Sequence, residues 1–169
     1  MIELGFSTTT WKTAEIMVLG GSDVDKHRFI EAFCPTITAS DKDFTFGQLE
    51  ISDNFDLFVY GMNLSGQFNQ FAWDLVARKI MGTIILFNWN SGSSFQAAKE
   101  IITFLGQFYH FPIICAANVG DRPYPVAESF FRPGIGFGNH HKFLFYKDHN
   151  SASIKRTIVS LIDLLLVQQ

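Results

Sequence analysis

Five short apolar runs recur along the chain and alternate with segments of helical period. The runs are Ala14 to Leu19, Phe55 to Tyr60, Thr83 to Phe87, Phe111 to Ala117 and His141 to Tyr146. Four of them end directly at glycine or asparagine: Gly20, Gly61, Asn88 and Asn118. Nearly continuous apolar character over about five residues suits strands buried on both faces, as in parallel sheets. Between them, Phe95, Ala98, Ile102, Leu105 and Tyr109 step by three and four and so share one helix face. Ile154, Ile158, Leu161, Ile162 and Leu165 do the same, with Asn150-Ser151 as the cap. Lys26 to Phe33 and Phe68 to Lys79 are two further helical segments. Thr36 to Asp43 has no helix period and reads as a loop entering the Phe44-Thr45-Phe46 strand. Alternating strand and helix predicts an α/β domain with helices on both faces of a mostly parallel sheet of about six strands. In such sheets, ligands sit outside the carboxyl ends of the strands.

The chain is long enough, at 169 residues, for one domain with its own core. Residues 1–13 read as an N-terminal extension and residues 14–169 as the domain. Charged residues are 17% against an average of about 25%, which excludes a disordered chain. The net charge of −3 and the lack of a basic stretch argue against nucleic acid as a partner. No run approaches the roughly 18 apolar residues of a membrane span, and Met1 to Gly5 lacks the pattern of a secretory signal. A cytoplasmic location is expected. Cys34 and Cys115 make neither a disulfide framework nor a zinc cluster. Cys115, inside an apolar run, reads as a small buried hydrophobe. His140-His141 lacks a third ligand in the sequence, so no metal site is expected. No carboxylate dyad and no nucleophile elbow is present.

After the first run comes Gly20-Gly21-Ser22-Asp23-Val24-Asp25-Lys26-His27. Against the phosphate-loop pattern G-x-x-x-x-G-K-[ST], Gly20 and Lys26 are in register. Asp25 replaces the second glycine, whose lack of a side chain lets backbone approach a phosphate. His27 replaces the hydroxyl that binds magnesium, and a neutral imidazole is a poor magnesium ligand. Asp23 and Asp25 would repel a polyphosphate. Alternatively the segment is an ordinary strand-to-helix turn, with Asp25 capping the helix and Lys26 solvated.

The order of the other segments bears on this choice. Phe44-Thr45-Phe46-Gly47 precedes a strand, Gly66-Gln67-Phe68 and an aromatic helix follow it, and the fourth run ends Asn118-Val119-Gly120-Asp121. This series, from about Ala14 to Leu166, resembles the small Ras-like GTPases, and most closely the bacterial branch of MglA-like proteins. The resemblance implies a P-loop small-GTPase-like fold. Within it, Gly20 and Lys26 would contact phosphate, Gln67 would position the hydrolytic water, and Asn118 and Asp121 would recognise guanine. Thr38 or Ser40 would stand as poor candidates for the switch hydroxyl. GTP or GDP with magnesium would be the ligand if binding were retained; otherwise no cofactor is expected. Val119 stands where the family has lysine, and no base loop is clear around Asp148-His149-Asn150. With Asp25 and His27, these departures predict a degenerate member that regulates or scaffolds through protein contacts. Phe44, Phe46, Phe68 and Phe71 would face the partner, which the resemblance implies to be a Roadblock or longin-like domain or a true small GTPase. A functional GTP/GDP switch with slow hydrolysis is the alternative. A flavodoxin-like or receiver-like domain is a third reading.

Overall fold

The structure, a computed structural model, describes residues 12–21, 23–40, 44–63, 78–128 and 141–167. Among the described residues there are seven strands: β1 (Lys12–Gly20), β2 (Thr36–Ser40), β3 (Phe44–Ser52), β4 (Phe55–Asn63), β5 (Ile80–Asn88), β6 (Ile113–Asn118) and β7 (His141–Tyr146). They form one sheet in the order β2-β3-β4-β1-β5-β6-β7. The β1–β4, β1–β5, β5–β6 and β6–β7 pairs are parallel, whereas β2–β3 and β3–β4 are antiparallel. Three helices are described: α1 (Lys26–Glu31), α2 (Gly92–Phe108) and α3 (Ser151–Val167).

This corrects the expected six-stranded, mostly parallel small-GTPase layout. The sheet has seven strands and is mixed, with an antiparallel meander at one edge. Part of the difference is Thr36–Ser40, expected as a loop. Its β-branched Thr36-Ile37-Thr38 suits a pleated strand, and it pairs with β3 across a bulge between Ile37 and Ala39. The predicted helix from Phe68 falls largely outside the described residues.

Alternation of side chains along the strands splits the apolar residues into two cores. On one face Ile16, Val18, Val59, Ile84 and Leu144 pack with Phe29 and Ile30 of α1 and Ile154, Ile158 and Leu161 of α3. On the other, Met17, Leu19, Ile85, Phe87 and Phe145 pack with Ala98, Ile101 and Leu105 of α2. Helices therefore cover both faces. The α2 stripe is rotated from the expected one: Ser94, Ala98, Ile101 and Leu105 are buried, while Phe95 is exposed. Asn150 caps α3, its Oδ1 accepting from the Ser153 N–H at 3.0 Å. Burial pushes the thiols of Cys34 and Cys115 up to about 12, so both stay protonated and pack as apolar groups. No helix among the described residues is long and apolar enough to cross a membrane.

The far edge of the sheet is closed by side chains. The Phe145 N–H of β7 donates to Glu128 Oε2 at 2.7 Å, and its carbonyl accepts from Arg156 Nη2 at 2.6 Å. Arg156 and Glu128 are joined in bidentate fashion at 2.6 and 2.9 Å, and Arg156 also donates to the Tyr124 hydroxyl at 3.1 Å. Filling an edge strand's polar groups this way blocks further strand pairing there.

Candidate functional site

The carboxyl ends of β1, β4, β5, β6 and β7 lie side by side. Gly20 pairs with Asn63, Asn88 with Asn118, and Asn118 with Tyr146. Parallel register thus brings asparagines from three strand ends, far apart in sequence, to one rim of the sheet. Asn118 Nδ2 donates to Asn88 Oδ1 at 3.3 Å. Asn88 Nδ2 donates in turn to the Asp23 carbonyl at 3.1 Å and to Asp23 Oδ2 at 3.2 Å. This relay ties the end of β6, through β5, to the loop after β1.

That loop folds over its own lysine. Lys26 is buried, and its Nζ donates to the carbonyls of Gly21 at 2.6 Å, Val24 at 3.1 Å and Gly20 at 3.4 Å. It is therefore not the solvated side chain of an ordinary turn. An ammonium held by three carbonyl dipoles has its charge satisfied within the loop. Gly20 has no room for a side chain, since a Cβ there would lie 2.9 Å from the Leu86 carbonyl oxygen. Asp25 caps α1, its Oδ1 accepting from the Arg28 N–H at 2.9 Å. His27 points back to the sheet, with Nδ1 3.3 Å from Thr45 Oγ1 and Nε2 3.8 Å from Glu31.

Gly20 and Lys26 are thus brought together, and the relay links Asn118 to the same loop. Asn118 Oδ1 is also engaged, accepting from the Gly120 N–H at 2.9 Å. Gly120 takes a positive φ of 61°, which glycine adopts without strain. Asp121 lies beyond it, exposed, with no hydrogen bond or ion pair to another described residue. Val119 is buried in the core against α2 and so has no face to offer a planar base. Phe44 and Phe46 lie on β3 in an aromatic ladder with β4. Phe46 stacks on Phe58 at 5.7 Å, Tyr60 lies 5.0 Å from Phe46, and Phe44 is 6.4 Å from Tyr60. Gln67, Phe68 and Phe71 lie outside the described residues.

Between the loop after β1 and the ends of β6 and β7 is a cavity of about 220 Å³. Asp23, Asp25 and Asp148 line it with Asn88, Asn118 and Tyr146, above Phe29 and Ile154. Arg28 stands on the same wall and donates to His149 Nδ1 at 2.6 Å. Arginine has only donors, so the imidazole nitrogen accepts. Burial, together with Asp148, Asp25 and Asp23, holds the Tyr146 hydroxyl above its usual pKa and therefore protonated. Tyr146 and Asp148 were not singled out as site residues in the sequence. Tyr146 ends an apolar run and looks there like core, and only the parallel register sets it beside Asn118.

No protein-family model and no curated protein matches the chain.

Proposed function

We propose that the chain is a regulatory or scaffolding protein-interaction module, a catalytically degenerate relative of the MglA-like small GTPases that its motif order resembles. One observation carries this reading: Lys26, the residue that would hold phosphate, is buried and bonded to three carbonyls of its own loop. A phosphate entering there would have to displace those bonds beside Asp23 and Asp25. At 4 Å and an intermediate dielectric, each like-charge pair costs about 4 kcal/mol. Phosphoryl transfer relies on positioning and on compensation of charge by lysine and a metal ion. Lys26 is already engaged, and His27, at the place of the metal-binding hydroxyl, is turned to Thr45. Asp121, the expected partner of guanine, is exposed.

In this reading the aromatic ladder of Phe44 and Phe46 is the contact surface. The partner class follows from the resemblance: a Roadblock or longin-like domain, or a true small GTPase. Aromatic side chains supply much of the energy in such interfaces.

Calorimetric titration of nucleotide-free protein with GDP and GTP, with and without magnesium, tests the reading. No heat and no thermal shift at millimolar nucleotide is the expected result. Micromolar, magnesium-dependent binding would overturn it in favour of a working GTP/GDP switch.

A further inference from the structure

A cleft of about 330 Å³ lies between α2 and the β5, β6 and β7 end of the sheet. Its helix side is a single stripe. Phe95, Ala98 and Lys99, Ile102 and Thr103, then Gly106 succeed one another turn by turn. At 1.5 Å per residue this stripe runs for about 16 Å, so the cleft is long rather than round. The sheet side is formed by Phe87, Cys115, Phe143 and His141. The volume falls within the roughly 300–1,000 Å³ of small-molecule sites.

Packing within the chain does not account for two residues of the stripe. Gly106 lies inside α2, where glycine is less stable than alanine. A Cβ there would meet nothing within 4 Å beyond the helix's own backbone, so no neighbour demands the glycine. What its missing side chain leaves open is the cleft. Phe95 meets Phe87 edge to face at 5.5 Å, yet 46% of its surface stays exposed at the cleft mouth. Charge defines what could enter. Among the described residues that line the cleft there is no carboxylate. The places three and four positions from Lys99 on α2 hold Phe95, Gln96, Ile102 and Thr103, none of them acidic. The adjacent Glu100 is joined to Gln96 instead, at 3.3 Å. Thr103 gives its hydroxyl proton to the Lys99 carbonyl at 2.8 Å. Burial keeps the Cys115 thiol neutral. Lys99 thus brings a positive charge with no acid opposite it. Helical side chains lean toward the N-terminal turn, which sets the ammonium at the Phe95 end. From there the apolar length runs past Ile102 and Phe143 to Gly106.

We propose that this cleft binds a medium-chain fatty carboxylate, its head at Lys99 and its tail along α2 toward Gly106. An unbranched chain matches a long cleft walled by Ala98, Ile102 and Phe143, and each methylene that leaves water favours binding. The carboxylate supplies the acid that Lys99 lacks on its own helix. The inference does not rest on the partner-binding role, which uses the aromatic ladder of β3 and β4.

The test is isothermal titration of the intact chain with decanoate below its micelle concentration. Decyltrimethylammonium, the same chain with a positive head, is run beside it. Saturable decanoate binding, with none of the ammonium, is the expected result. Gly106→Leu puts a side chain into the cleft and should weaken decanoate at least about tenfold. Its thermal midpoint should stay at or above that of the parent, since leucine favours a helix over glycine. Lys99→Met should weaken decanoate about threefold, the size of an exposed ion pair. That substitution sits on an exposed side chain and keeps the test intact should Gly106→Leu fail to fold. Silence toward decanoate would overturn the proposal. So would equal binding of both amphiphiles, the mark of unspecific apolar contact. Full affinity in both folded variants would place the ligand elsewhere and overturn it as well.

Discussion

At Phe145 of β7 the backbone N–H donates to Glu128, the carbonyl accepts from Arg156, and those two side chains answer each other. One residue on, the Tyr146 hydroxyl makes no hydrogen bond to another described residue, and two residues further the buried Asp148 Oδ1 accepts none, with His149 Nε2 standing 3.6 Å away. The two centres share a strand and sit close to the same helix, α3. Their difference separates two uses of buried polar groups. A completed network fixes geometry: it closes the sheet edge and anchors the segment that carries Tyr124 and Glu128. An incomplete one costs stability in the free protein and is relieved when something else supplies the missing bonds.

Substitutions on the two sides should therefore behave in opposite ways. The largest effect is expected from Arg156→Ala, which leaves Glu128 and the Phe145 carbonyl without their donor. A loss of about 2–3 kcal/mol should appear in urea denaturation, at the lower end because Arg156 is 40% exposed. A loss under 0.5 kcal/mol would mean that the edge centre is no more complete than the cavity. Next comes Lys26→Met, which keeps the stem but removes the ammonium from the three loop carbonyls. A cost of about 2 kcal/mol is expected in the same assay. Asp25→Ala removes the cap of α1 and should cost about 1 kcal/mol. The smallest effect belongs to Tyr146→Phe. Deleting a hydroxyl that bonds to no other described residue should leave stability within about 0.5 kcal/mol of the parent, or raise it. A loss above 1 kcal/mol would reveal a partner for the hydroxyl and dissolve the contrast.

Much of the fold was legible in the chain because buried strands and helices carry their periods openly. The five apolar runs became β1, β4, β5, β6 and β7, and Phe44-Thr45-Phe46 opened β3. The fold expectation failed on sheet composition. Thr36–Ser40 is short, with Thr36 and Thr38 exposed, so hydrophobic pattern gave it no strand signal, and only pairing with β3 makes it one. The α2 stripe was displaced because Ser94 is buried: its hydroxyl accepts from the Asn88 N–H at 2.8 Å, a tertiary contact that draws a polar residue inward. At the site, the motif register found Gly20, Lys26 and Asn118 near one another. It could not show that Lys26 turns inward onto its own loop, because spacing carries no information about which carbonyls a flexible side chain reaches.

By itself the sequence determined the α/β class, the two-faced burial of the central strands, and the polar strand ends where a site would gather. These follow from local periodicity and from residue types whose preferences act within a few positions. Tertiary structure alone decided the mixed seven-stranded sheet, the closed edge at β7, and the meeting of Tyr146 and Asp148 with Asp23 and Asp25. Each of these depends on pairing between segments far apart along the chain. Such pairing is set by the summed packing of the whole sheet, a quantity that no single stretch of residues contains.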